Sequence, residues 1–442
     1  MLTRAAWAGP ALLACALAAA AAIAPQDSAK EKLKTTLKDN DVVGEWIYDD
    51  IHGAFSQARK SGRPILAVIR CVPSWNYREI DKQVARRETP GMAELLDKFV
   101  CVRIVQAHGL DLATFQFDTD LTWAVFFLNA DKVVYGRYGH RGRQKEPHKD
   151  VSIEAFKKAA KAALELHEGY PKNKKELAGK TGASPEWRLP ELIPDLKTRP
   201  EIKASDGKNC VRCHTVHEGE LWSLRAPKQT LPDRMIWPYP MPEAVGLTLD
   251  PKEMASVTSV EADTPAEKAG FKAGDRIARL DGQPILSIAD VQWVLNNVRD
   301  GIPVKVEAEV ERDGKNTELT MTLPPAWRQK SDPTWRHNFP DLKHRLIGVD
   351  TFEAIALDVR KEHNLPPAGM ALRVKKLGGG GEGRNTSFTW KTGDVLINVD
   401  GKNTFDTEYE LIAHLLRKNP AQKVDFSIIR DGRIQKGTLV LP

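Results

Sequence analysis

The 442-residue sequence is short of several things, and each shortage excludes a class of function. It has only five cysteines, too few for a disulfide-stapled scaffold of this length. The formal net charge is +6, and no long basic run is interleaved with aromatics, so nucleic acid is not an expected partner. The most basic stretch, Lys157 to Lys180, reads as the solvated face of a helix and its exit. Past Ala24 no stretch approaches the ~20 apolar residues of a spanning helix. No Gly-x-Ser-x-Gly occurs, and the region ahead of the C-terminal repeats leaves no room for a two-barrel protease domain. The expectation is that the chain is not a protease.

What is present begins with an address. Arg4 precedes an apolar run from Ala5 to Ala24 that ends in Ala22-Ile23-Ala24, a secretory signal pattern with cleavage expected near Ala22 or Ala24. Residues 1–24 are therefore read as a signal peptide and the mature chain as periplasmic or secreted. A lipoprotein tether at Cys15 is not expected, because the residues after it are still apolar. Cys71, Cys101, Cys210 and Cys213 remain in an oxidising compartment, where thiols are rarely idle.

Residues 40–170 alternate helix and strand. Ile51 to Lys60 has helical periodicity, and Pro64 to Arg70 is an apolar strand. A polar helix is expected after Ser74, a strand over Phe99 to Val105, and a hairpin around Asn129-Ala130-Asp131. Ser152 then caps a closing helix. The order β-α-β-α-β-β-α predicts an α/β domain. Residues 171–241 are rich in proline and lysine and read as a linker segment. From 242 the chain is β-rich and repeats itself, over 242–325 and again over 340–442.

Within the linker stands Cys210-Val211-Arg212-Cys213-His214. Two thiols at this spacing can each add to a haem vinyl group, and the adjacent histidine can reach the iron, so a covalently attached haem c is expected on Cys210, Cys213 and His214. A local disulfide, or a zinc site that adds His217, are the rivals. Candidates for the sixth iron ligand are His217, Met235 and Met241, with an open position as the further choice. The second site is Cys71, directly after a strand and expected to open a helix whose dipole would stabilise its thiolate. Cys71-Val72-Pro73-Ser74 has the spacing of a thioredoxin-like motif, but Ser74 stands where the resolving cysteine would be, and Trp123 where a cis-proline would be. Thiol oxidoreduction at Cys71 alone is thus in doubt. Cys101, within an apolar strand, reads as a core thiol.

The repeats carry a further resemblance. Gly274-Asp275 through Asp281-Gly282 recurs as Gly393-Asp394 through Asp400-Gly401, each followed by a helical stretch and a hairpin at Asp313-Gly314 or Asp431-Gly432. This pattern resembles the PDZ modules of bacterial exported proteins. The resemblance implies two PDZ-like domains that take peptide C-termini by strand addition. The peptide site would be Val245, Gly246, Leu247 and Thr248 in the first, with Leu346 to Asp350 its counterpart in the second. Glycines from Gly378 to Gly381 interrupt the second copy, which favours the first groove.

Taken with Trp237-Pro238-Tyr239-Pro240-Met241-Pro242 and Thr334-Trp335-Arg336, the order of parts is similar to a bacterial family of exported thioredoxin-fold/PDZ proteins, some of which carry selenocysteine. The resemblance implies the domain order and the compartment but no reaction. The expected fold is a thioredoxin-like α/β domain, an irregular CxxCH segment and two PDZ-like domains. The expected function is an exported, redox-linked binder of peptide tails. The alternative is a non-enzymatic scaffold whose Cys210–Cys213 pair is structural.

Overall fold

The computed structural model describes residues 24–142, 146–197, 199, 211–225, 230–358, 360–361, 364–378 and 388–442. The expected export signal lies outside these residues but for its last position, where helix α1 (Ala24–Leu37) begins.

The first unit is a five-stranded sheet in the order β1-β3-β2-β4-β5. Its strands are β1 (Ile47–Tyr48), β2 (Ile65–Arg70), β3 (Val100–Ile104), β4 (Trp123–Leu128) and β5 (Val134–Tyr138). β3 runs parallel to β1 and β2, while β4 and β5 are antiparallel to their neighbours. All of β2 and β4 is buried because the two faces of the sheet are both covered. Side chains alternate between faces, so Ile65, Ala67 and Ile69 meet Ala54, Phe55 and Ala58 of helix α2 (Ile51–Ser61). Leu66 and Val68 instead join Phe156, Ala159 and Ala160 of the helix Ile153–Glu168. Both helices start where a side chain caps them, Asp50 accepting from Gly53 and Ser152 from Ala155.

The segment expected as a linker is not one. Its helix Cys213–Arg225 is built into two cores at once. Val211, Cys213 and Val216 are packed in the core of the first unit, and Leu221 and Trp222 in that of the C-terminal unit. A Cβ on Gly219 would come within 2.5 Å of Leu196, so the helix is seated tightly on the turn before it. The correction has a plain cause. The apolar residues of 211–225 show no single period, because they are divided between two cores.

The β-rich half forms two units. The first holds the separate hairpin of β6 (Leu247–Leu249) and β7 (Val257–Val260), and a sheet of β8 (Arg276–Leu280), β9 (Gln283–Pro284), β10 (Val304–Arg312) and β11 (Lys315–Leu323) in the order β11-β10-β8-β9. The second is a single sheet running from β12 (Val349–Ala354) to β16 (Arg433–Val440). Their repeated sequence gives repeated geometry. Asp275 takes two hydrogen bonds from Arg312 at 2.6 and 2.8 Å, and Asp394 takes two from Arg430, both at 2.6 Å. Asp281 and Asp400 share a left-handed backbone, φ 49° and 50°, at the turn before a glycine.

The first β-rich unit is fixed against the first unit of the chain. Its helix Ile288–Asn297 lies along β5, with Ser287 Oγ donating to the Arg137 carbonyl at 2.5 Å and Trp293 Nε1 to that of Gly179 at 3.2 Å.

Candidate functional site

β2 ends at Arg70, and the chain then turns. The Cys71 amide donates to the Thr122 carbonyl at 2.9 Å, and the Ser74 amide to that of Cys71 at 3.0 Å. The buried Arg70 guanidinium holds this loop from beneath, donating to the carbonyls of Ser74, Asn76 and Thr122 at 2.5 to 3.0 Å. The expected helix start at Cys71 is corrected. The helix begins at Arg78, after Tyr77 in a left-handed conformation with no side-chain cap, so no helix dipole bears on the thiol. Cys71 is half-buried, and Trp75 beside it is 77% exposed. Cys101 is buried, as expected, and burial pushes its thiol up to about 12.

Cys71 opens on a cleft of about 440 Å³ that also takes Arg141, Arg212, His214, Trp335 and His337. Cys71 and His214, which sequence treated separately, thus line one cleft. His214 lies against His337 with ring centroids 4.1 Å apart, and its Nδ1 is buried without a hydrogen-bond partner. Asn338 fixes the backbone by donating to the His214 carbonyl at 2.5 Å. His337 was not foreseen; the signal available was the Thr334-Trp335-Arg336 stretch just before it.

The other histidine is spoken for. His217 faces the Asp120 carboxylate through Nδ1 at 3.3 Å and the Met235 carbonyl through Nε2 at 3.0 Å. Both neighbours are acceptors, so both ring nitrogens donate. Burial works against that charge, but the hydrogen bond and charge of Asp120 outweigh it and raise the pKa of His217. A ring with both nitrogens donating has no lone pair for a metal. Neither Met235 nor Met241 lines the cleft. The expected sixth ligands His217, Met235 and Met241 are therefore not brought to His214; His337 is. Arg336 completes the cluster with bonds to Asp118 at 2.7 Å and Asp120 at 2.6 Å.

Haem asks for three residues, and the structure meets that need in part. His214 lines the cleft and has a ring nitrogen without a hydrogen-bond partner, as an axial ligand would need. Cys213 is buried in the apolar core of the first unit and does not line the cleft. Cys210 lies outside the described residues. As for zinc, no cluster of three or more metal-ligating side chains is found among the described residues.

Two imidazoles are kept neutral here. Burial, with Arg141 adjoining, pushes His140 down to about 3, and burial with His337 pushes His214 down to about 4. Both values lie below the ordinary pKa of about 6.5, so on acidification the unfolded chain takes up protons before the folded one does. Their contribution to stability is whole above about pH 6.5 and is lost as pH falls toward 4. His217 acts oppositely, its contribution being whole at low pH and lost as pH rises. The urea midpoint is expected to drop between pH 7 and pH 5, and His140→Gln to flatten that drop. A midpoint unchanged in the parent protein would contradict it.

The two candidate peptide edges differ. In the first β-rich unit β6 is paired on one side, with β7, and carries no strand on the other among the described residues. Before it, Gly246 sits at φ 92°, where a Cβ would meet Thr264 Oγ1 at 2.1 Å, so only glycine makes this loop. Val245, Gly246 and Leu247 are buried, and Thr248 is exposed. In the second unit the Phe352 amide on β12 already donates to the Glu408 carboxylate at 3.1 Å, and Lys343 pairs with the same oxygen at 2.7 Å. That edge is closed by its own side chain.

Comparison with known proteins finds matches for two parts of the chain. A thioredoxin-like family model matches residues 46–130, and a PDZ domain model matches residues 244–323. A probable periplasmic serine endoprotease, DegP-like, of Pseudomonas savastanoi is 31% identical over 189 residues, which is 42% of this chain and 37% of that protein. A putative zinc metalloprotease of Brucella suis is 34% identical over 117 residues, 26% of this chain and 28% of its own length. A serine endoprotease structure from Yersinia pestis covers 18% of this chain and 28% of that one, at 25% identity and a TM-score of 0.16. The chain thus spans 37% and 28% of the lengths of these two curated relatives. The chain carries a thioredoxin-like domain and a PDZ domain, and its relatives include periplasmic PDZ-containing proteins. The expectation that it is not a protease is overturned, because those relatives are named as proteases. The missing Gly-x-Ser-x-Gly was no ground for exclusion, since proteolysis does not depend on that one motif. Among the described residues no helix is long and apolar enough to cross a membrane.

Proposed function

We propose that the protein is an exported, redox-linked binder of peptide C-termini, in which the first β-rich unit takes the tail and the cleft at Cys71 and His214 lies next to it. The observation that carries the reading is the unpaired edge of β6 beside the glycine loop at Gly246. A tail would add as a strand, and backbone amides of the loop would hold its carboxylate. The module is joined to the cleft by one link: Gln292 Nε2 on its helix donates to the carbonyl of Arg141, whose side chain lines the Cys71 cleft. The second β-rich unit, with its repeated Asp394–Arg430 pair, is read as a PDZ-like copy whose edge is occupied by Glu408.

The test is a titration with peptides ending in an apolar residue, each made with a free and with an amidated C-terminus. Amidation is expected to weaken binding about tenfold or more, as loss of a charged group from an amide-lined site would. Equal binding of the two forms, or none, would remove the tail-binding reading.

The CxxCH segment favours a second element, haem c on Cys210 and Cys213 with His214 toward the iron. When bound, such a group supplies one-electron redox chemistry. The chain's own part is to hold His214 neutral and buried at the cleft, with Asn338 fixing its backbone. The same protein, made in a host that matures haem c, is expected to show a visible haem spectrum that Cys210→Ala with Cys213→Ala abolishes. A colourless parent protein leaves the scaffold reading, with a structural Cys210–Cys213 pair. The protease names of the relatives favour a setting in periplasmic proteolysis, where tail recognition selects the protein to be handled.

A further inference from the structure

A second cavity, of about 280 Å³, lies where the thioredoxin-like domain, the helix Cys213–Arg225 and the first β-rich unit meet. Its walls include the rings of Phe115, Phe117, Trp187, Tyr239 and Trp293. Tyr239 is held at φ 47°, in the left-handed region that a bulky residue rarely adopts, with its amide bonded to Asn296 Oδ1 at 2.9 Å. Strain of this kind persists only where the surroundings impose it, and here it sets a ring at the cavity wall. Glu220 also lines the cavity.

The charges sort into those already paired and those left over. Asp118 is neutralised by Arg336, and His217 by Asp120. Arg137, whose guanidinium lies 3.9 Å over the Trp293 ring, has Asp290 at 3.8 Å. Three lining groups remain with no hydrogen bond or ion pair to their side chains among the described residues: Glu220, Glu186 and Arg234. Glu186 and Arg234 are exposed, where water screens them, so the charge left among the rings is that of Glu220. Burial raises the pKa of Glu220, which is the mark of a carboxyl lacking the partner that would hold it ionised.

Aromatic faces are electron-rich and attract cations, most strongly where water is excluded. An unpaired carboxylate among them adds a full charge and leaves a place for a counter-ion. We propose that this cavity is a binding site for a small organic ammonium ion, gripped by the rings of Trp187 and Tyr239 and neutralised by Glu220. A neutral apolar ligand would leave Glu220 buried and unpaired, which costs free energy. An anion would meet that carboxylate directly. The volume admits a trimethylammonium group or the end of a lysine side chain. Those two sources share the same chemistry and are told apart below.

The test uses the full mature chain and isothermal titration with three probes: choline, lysine blocked at both its backbone termini, and 3,3-dimethylbutan-1-ol, the neutral isostere of choline. At least one cation is expected to bind saturably, with the neutral isostere about tenfold weaker or more, a difference of ~1.4 kcal/mol. Glu220→Gln is expected to weaken the cation by a similar factor and leave the isostere unchanged. Tighter binding of blocked lysine assigns the site to a side chain of a partner protein, and tighter binding of choline to a free amine. Equal affinity for choline and its isostere would show a merely apolar cavity and overturn the proposal. So would the absence of any cation binding. Trp187→Leu, at another lining residue, is the second variant. It is expected to weaken the cation without changing the melting temperature much, and retained cation affinity in it would also overturn the assignment.

Discussion

Replacing Asp81 with alanine is expected to lower the stability of the thioredoxin-like domain by about 3–5 kcal/mol and to loosen the loop that carries Cys71. Asp81 is 4% exposed. It accepts from Arg103 at 2.8 and 3.0 Å, from Arg70 Nε at 3.1 Å and from the buried Trp123 indole at 3.1 Å. Arg103 keeps a second carboxylate, Asp39, at 2.7 and 3.0 Å, but Arg70 has no other. Without Asp81, Arg70 would be a buried cation with only carbonyls around it. Those are the carbonyls of Ser74, Asn76 and Thr122 that shape the Cys71 loop. The loss would therefore reach the cleft. Denaturant unfolding reads the first effect, and the rate of maleimide labelling at Cys71, located by mass spectrometry, reads the second. Asp81→Asn, which keeps the shape and two acceptor contacts, should cost less. An alanine variant within about 1 kcal/mol of the parent would show that the ion cluster is not what holds this site.

Much of this arrangement could be read from the sequence, and the rest could not for identifiable reasons. The strands of the first unit were legible because both faces are covered, which makes them plain apolar runs. Ser152 in that unit and the doubled Gly-Asp pattern in the β-rich half marked a helix start and turns by local backbone chemistry, which needs no knowledge of neighbours. Arg70 and Arg103, charged residues inside apolar strands, were a visible sign of buried ion pairs that went unused. The cleft was hidden because its walls come from four distant places: Cys71, Arg141, His214 and His337. Nothing local links His337 to Cys71. The helix Cys213–Arg225 was mistaken for linker because its apolar residues are shared between two cores, so neither face shows a period. Cys71 was expected to open a helix because it follows a strand directly; what decided otherwise was Arg70, whose guanidinium binds the carbonyls of Ser74, Asn76 and Thr122 and holds the segment as a loop.

The same reasoning gives the last expected result, at the junction of the thioredoxin-like and PDZ domains. Asp290 is fully buried there. Its carboxylate accepts from the amides of Arg137 at 3.2 Å and Leu286 at 3.0 Å, and it pairs with Lys180 Nζ at 3.0 Å. Burial pushes Lys180 down to about 8 and Arg137 down to about 10 even with Asp290 in place. Asp290→Ala would leave both cations buried without a counter-charge, at a cost of about 3–5 kcal/mol. The cost would fall on the interface, which the contacts of Ser287, Gln292 and Trp293 would then leave together. A single thermal transition in the parent is expected to split in two in the variant, with proteolysis newly admitted near Lys180. Asp290→Leu combined with Lys180→Met, which removes both charges and keeps the volume, is expected to recover most of the loss. If the double variant is no better than Asp290→Ala, the junction depends on the two amide bonds to Asp290 and not on its charge. The result bears on the proposed function, because the Gln292 contact with Arg141 lies between the proposed peptide edge and the Cys71 cleft. In the split variant, peptide binding by the first β-rich unit should persist.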